Sequence, residues 1–173
     1  MKHNGTLRIG VIGAGRIGKI HAENLATRVT SVEVAAIADV DFKSAQELAA
    51  RLHVPQALVD YHAILADGSI DAVAICSSTD THAQIIIEAA QAGKHIFCEK
   101  PISHDLAKID AALAAVEKAG VKLQIGFNRR FDPNFAHVRE MVAQGKIGAP
   151  QIVRITSLAN GRVDHHPGRS EDF

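Results

Sequence analysis

Six residues carry the first chemical signal in the chain: Gly13-Ala14-Gly15-Arg16-Ile17-Gly18, a G-x-G-x-x-G run set between a β-branched segment and a helical pattern. That context is what a dinucleotide-binding turn requires. Gly13 would permit the tight turn, Gly15 the close approach of backbone to a pyrophosphate, and Gly18 the contact of helix with strand. The unpaired N–H groups of the helix would offer an anion site. Arg16 and Ile17 lie inside the run and count with it as cofactor-binding candidates. Asp39 ends the next apolar run, twenty-one residues after Gly18, where an acidic side chain would accept hydrogen bonds from ribose hydroxyls. A 2′-phosphate would meet like charge there, so NAD is expected over NADP, although nearby Lys43 keeps NADP in consideration. Asp41, further into the turn, is the weaker candidate.

Two later loops add candidates. Cys76-Ser77-Ser78-Thr79-Asp80-Thr81-His82 follows another apolar run, and loops at the carboxyl ends of parallel strands border the cofactor crevice. Ser77, Ser78 and His82 are therefore placed with the cofactor, while Thr81 is equally suited to capping a helix and His82 to packing in its first turn. Glu99-Lys100-Pro101 follows the next strand. As a tripeptide it reads as a charged turn, but from that position a partly desolvated lysine can exchange a proton with a substrate hydroxyl.

The elements that would hold these loops alternate. Strands are expected at Leu7–Ile12, Val32–Ala38, Ala57–Val59, Ala72–Ile75, His95–Cys98 and Val121–Gly126. Helices are expected at Arg16–Thr27, Lys43–Leu52, Tyr61–Ala66, Thr81–Ala92 and Asp105–Ala119, the last with Leu106, Ile109, Leu113 and Val116 on one face. A further helical stripe through Phe135, Val138, Met141 and Val142 begins at Pro133 and stops at Gly145. This βαβ alternation predicts an α/β fold, a Rossmann-type doubly wound parallel sheet. Gln151–Thr156 alternates as a seventh strand with no place in that sheet, and 158–173 shows neither periodicity. The expected organisation is an extension at 1–6, a dinucleotide-binding domain at 7–126, a linking helix and first strand of a second α/β domain at 127–157, and an irregular tail at 158–173.

Composition narrows the classes. Among 173 residues, 47% are hydrophobic and 22% charged, with 19 basic and 19 acidic side chains, which suits a folded core and disfavours a nucleic-acid surface. Two cysteines, Cys76 and Cys98, cannot build a disulfide framework or a CxxC metal pair, so no metal is expected and a reducing cytoplasm fits best. No apolar run approaches the ~20 residues of a membrane span, and no signal peptide is expected.

Taken together, GAGRIGKIHAENL at 13–25, Asp39, STDTHA at 78–83, EKP at 99–101 and GFNRRFDPNF at 126–135 resemble the Gfo/Idh/MocA family of NAD(P)-dependent sugar and polyol dehydrogenases, and within it the inositol 2-dehydrogenases. The resemblance covers about residues 7–157. It implies that Lys100 hydrogen-bonds the reacting hydroxyl and takes part in proton transfer, and that Glu99 lies near the nicotinamide. It further implies a cis peptide bond before Pro101, with Asn128 and either Arg129 or Arg130 approaching cofactor or polyol. Relatives assemble as homo-oligomers and continue into a second domain bearing an Asp-x-x-x-His pair. No such pair follows Ser157, and Asp164, His165 and His166 have the wrong spacing. The chain is therefore expected to be a truncated or frame-shifted relative with non-native sequence from Leu158, for which assembly is not expected to carry over. Two functions compete: oxidation of a ring alcohol with NAD, and a catalytically silent NAD-binding module. A third reading exposes Gln151–Thr156 as an edge that pairs with another chain.

Overall fold

The computed structural model describes residues 5–156, and the chain divides into two compact units between Asn128 and Arg129. The first unit holds β1 (Leu7–Ile12), α1 (Arg16–Arg28), β2 (Val32–Ala38), α2 (Phe42–Leu52), β3 (Gln56–Leu58), α3 (His62–Ala66), β4 (Ala72–Ile75), α4 (Thr79–Gln91), β5 (His95–Cys98), α5 (Leu106–Ala119) and β6 (Leu123–Ile125). All six strands are parallel in the order β3-β2-β1-β4-β5-β6. The order reverses between β1 and β4, the switch point where such sheets open a crevice.

Continuous burial along Val34–Ala38 and Ala72–Ile75 marks the strands covered on both faces, as parallel sheets demand. Side-chain alternation sorts the strands into two cores. Ile9, Val11, Val34 and Ile37 pack with Ala22 of α1 and with Ala45, Leu48 and Ala49 of α2. Ile12, Val73, Ile75 and Ile96 pack with Ile64 of α3, with Ile86, Ala89 and Ala90 of α4, and with Ala112 of α5. Alanine thus shares the contact of helices with sheet with Leu48, Ile64, Ile85 and Ile86. Gly10 extends the theme, because a Cβ there would run into the Ile64 side chain.

In α5 the stripe of Leu106, Ile109, Leu113 and Val116 is enclosed unevenly: Leu106 is 77% and Leu113 45% exposed, Val116 packs against the core, and Ala112 is fully buried. Helix α5 packs against α4, and alanine at the contact lets two helices approach as leucine would not. Helix α4 starts at Thr79, two residues before the expected Thr81, with Ser78 at the N-terminal boundary making no side-chain cap. Gln151–Thr156 forms no strand, since alternation becomes a ladder only with a partner, and none pairs with it among the described residues.

In the second unit a 3-10 turn at Asn128–Phe131, begun in the first unit, leads to α6 (Pro133–Ala143). The Asp132 carboxylate caps this helix, accepting from the N–H groups of Asn134 at 2.9 Å and Phe135 at 3.3 Å. The irregular tail expected at 158–173 lies outside the described residues.

Candidate functional site

The glycine turn opens a cleft of about 560 Å³ at the switch point, lined by Gly13, Gly15, Asp39, Ser77, Ser78 and Thr81 among others. Gly13 has φ +103°, a region that favours glycine, and a Cβ there would lie 2.6 Å from the Cys76 carbonyl. A Cβ on Gly18 would collide with the Gly13 carbonyl oxygen, whereas one on Gly15 would meet nothing. The turn is therefore packed tightly against its own strand and left open toward the cleft. No side chain caps the start of α1 at Gly15, so its N–H groups are aimed where an anion would sit. Arg16 is exposed, and Ile17 packs partly against the core.

Asp39 is half-buried at the end of β2, and its carboxylate accepts from the N–H of Ala14 at 2.6 Å and of Asp41 at 2.9 Å. The acid at the strand end is thereby tied to the glycine turn. Asp41 is spent otherwise, accepting from the Ser44 hydroxyl at 2.7 Å and the Lys43 N–H at 3.2 Å. Its carboxyl is held below the usual range, chiefly by that hydroxyl. Across the cleft, the Ser77 hydroxyl meets that of Thr81 at 2.8 Å, and the Thr81 hydroxyl donates to the Ser78 carbonyl at 2.7 Å. Cys76, buried beneath, has its thiol pushed up to about 12 by burial.

His82 does not reach the cleft as expected. It is 2% exposed, with Nδ1 2.8 Å from the Pro101 carbonyl oxygen and Nε2 3.1 Å from that of Ser77. Two backbone acceptors occupy the ring, which is why it turns inward. Glu99 pairs with His21 of α1, Oε1 to Nε2 at 2.7 Å, and its other oxygen accepts from the Lys100 N–H at 3.2 Å. The Lys100–Pro101 peptide bond is cis, as the resemblance implies. The expected desolvation of Lys100 is not seen, for its side chain is exposed.

Asn128 ends the first unit, and Arg129 and Arg130 begin the second. There Arg129 lies 5.0 Å over the Phe135 ring, and both arginines line a shallow hollow with Arg139.

Several cleft residues escaped the sequence reading. Val59, Tyr61 and Gln84 line its far end. The Tyr61 hydroxyl donates to Glu88 at 2.5 Å, Gln84 donates to the same carboxylate at 2.6 Å, and the His62 ring stacks on Tyr61 at 4.2 Å. Burial, and then Glu88, raises the Tyr61 hydroxyl above its ordinary value. His62 is also raised, first by its hydrogen bond to Asp60. His21 was missed too, and its place three residues after Gly18 in the same helix is the one local cue.

The GFO_IDH_MocA model, described as an oxidoreductase family with an NAD-binding Rossmann fold, matches residues 7–127. An uncharacterised oxidoreductase of Bacillus subtilis, YrbE, is 49% identical over 148 residues, covering 86% of this chain and 43% of the relative. A myo-inositol 2-dehydrogenase of Thermotoga maritima is 48% identical over 151 residues, covering 87% of this chain and 45% of the relative. Among solved structures, scyllo-inositol dehydrogenase from Lactobacillus casei with bound NAD(H) and scyllo-inositol superposes with a TM-score of 0.79 at 38% identity, covering 83% of this chain and 42% of that one. The chain thus spans less than half the length of these relatives.

Proposed function

From the premise that this chain belongs to the Gfo/Idh/MocA family of NAD-binding oxidoreductases, we propose that it carries the cofactor-binding part of an inositol 2-dehydrogenase-type enzyme. The observation that carries this reading is the switch-point cleft, where a glycine turn with no room for side chains at Gly13 and Gly18 is tied to the acid that ends β2. These residues fit NAD: the start of α1 would hold the pyrophosphate and Asp39 the adenosine ribose, with Ser77 and Ser78 on the opposite wall. Bound NAD supplies the hydride acceptor for oxidation of a ring secondary alcohol to a ketone. Lys100 would hydrogen-bond the reacting hydroxyl and, as the neutral amine, take its proton while the hydride leaves, releasing it to the solvent its side chain faces. Glu99 holds the lysine's backbone through the Lys100 N–H. Asn128, which ends the same unit, is the candidate to orient the polyol. Asp39 favours NAD over NADP through like-charge repulsion of a 2′-phosphate.

Calorimetric titration with NADH and NADPH, followed by NAD reduction with myo-inositol and scyllo-inositol, tests this. Tighter binding of NADH and reduction with either polyol support the proposal. Binding without reduction would mark the chain as a dinucleotide-binding module, and absence of binding would overturn both.

A further inference from the structure

The loop that carries Lys100 is gripped from two sides, and both grips come from helices that begin at the cleft. Helix α1 follows the glycine turn and reaches Glu99 through His21 at 2.7 Å. Helix α4 follows Ser78 and reaches the Pro101 carbonyl through His82 at 2.8 Å. Of the two histidines His82 is the more deeply enclosed, at 2% exposure, and its other ring nitrogen faces the Ser77 carbonyl at 3.1 Å. A neutral imidazole donates to one such carbonyl and a charged one to both. In either state this ring stands between the backbone of a residue lining the cleft and the backbone of the residue after Lys100.

A buried histidine of this kind has a structural use already, since two enclosed carbonyls need a donor. The geometry points to more. Ser77 is also held by its hydroxyl against Thr81, so the loop that His82 touches has little freedom of its own. A nucleotide that displaced that loop would press on the imidazole, which touches the Pro101 carbonyl beside the lysine. We infer that His82 is a positioning residue that couples occupancy of the cleft to the placement of Lys100, through the carbonyls of Ser77 and Pro101. The inference rests on the proposal that the cleft binds NAD(H).

The test measures that coupling apart from affinity. Lys100 is exposed, so its rate of reductive methylation can be followed by mass spectrometry, with exposed Lys118 of α5 as internal control. With NADH at ten times the Kd measured for each protein, about one-tenth of the molecules remain free. Methylation of Lys100 in the parent should then fall about tenfold on adding NADH. In His82→Leu, which fills the site without a donor, the expected fall is less than about twofold at ten times its own Kd. His82→Gln, which keeps one donor, should restore part of the protection, and it carries the comparison if His82→Leu does not give a cooperative thermal transition. Full protection in both variants would overturn the inference, showing His82 to be packing alone. A parent that binds NADH but leaves Lys100 equally reactive would overturn it as well. A parent that binds no NADH would instead bring down the proposed function on which the inference stands.

Discussion

At the amino end of the sheet, Lys94 is buried and donates to the carbonyls of Asp67 at 2.6 Å and Ile70 at 2.8 Å, while Arg8 donates through its N–H to Asp71 and through its guanidinium to Ser69. At the carboxyl end, Asp39 ties the end of β2 to the glycine turn and Ser77 is held to Thr81, both around a cleft, while Glu99 pairs with His21 of α1. The first set closes the structure on itself. The second set leaves space, and spends bonding capacity on holding that space in shape. A polar group in one place is a staple and in the other a wall, and the surroundings of each tell which.

Substitutions at the two ends should separate these uses. The largest effect is expected for Lys100→Ala: in any preparation that oxidises a polyol, kcat should fall by about 100-fold or more, with NADH affinity changed by less than about threefold. Equal losses in both would remove the lysine from its assigned role. Next, Lys94→Met at the opposite end should lower unfolding free energy by about 2–4 kcal/mol, because two enclosed carbonyls lose their donor. Calorimetry on the same protein should give an unchanged Kd for NADH, and a weakened one would erase the distinction between the ends. A smaller effect is expected at Asp39→Ala, where the ratio of NADPH to NADH affinity should rise by about tenfold. Titration with both nucleotides checks this, and a constant ratio would deny Asp39 its part in selection.

The smallest effect concerns pH at the rim of the cleft. His62 holds its proton more tightly in the folded protein than its ordinary value of 6.5, first through Asp60. Its contribution to stability is therefore present below that value and lost as pH rises through the higher folded value. Thermal unfolding of the parent and of His62→Gln, from about pH 6 to about pH 8.5, should show a modest gap that narrows as pH rises. A gap that widens instead would reverse the assignment.

How far these arrangements were legible in the sequence depends on distance along the chain. The glycine turn, the acid at the end of β2 and the order of the first six strands and their helices are local patterns, and each appears in its expected order with ends shifted by a residue or two. Asp39 and Asp41 stand close together in one turn, yet their bonds diverge: one accepts from the glycine turn and the other caps α2. The His21–Glu99 pair spans 78 residues, so no periodicity could have joined it. His82 was visible as a residue type, but its turn inward depends on a carbonyl 19 residues away. The uneven burial along the stripe of α5 could not be read for a related reason, since a hydrophobic stripe says that a face exists and not which neighbour meets it. Gln151–Thr156 shows the limit most plainly, because an alternating segment is a strand only when something pairs with it.

The alanine seams between helices and sheet carry a consequence for how this fold tolerates change. Ala22, Ala36, Ala45, Ala89 and Ala112 are all fully enclosed, and Gly10 sits directly under Ile64. Truncation is impossible to make severe at such positions, because little side chain is there to remove. Enlargement is the dangerous direction: adding methylenes to a closely packed interior typically costs about 1–3 kcal/mol. At these alanine positions variation should therefore be purged mainly where it adds bulk, whereas at Ile37, Leu48, Ile64 and Ile86 truncation is the costly direction.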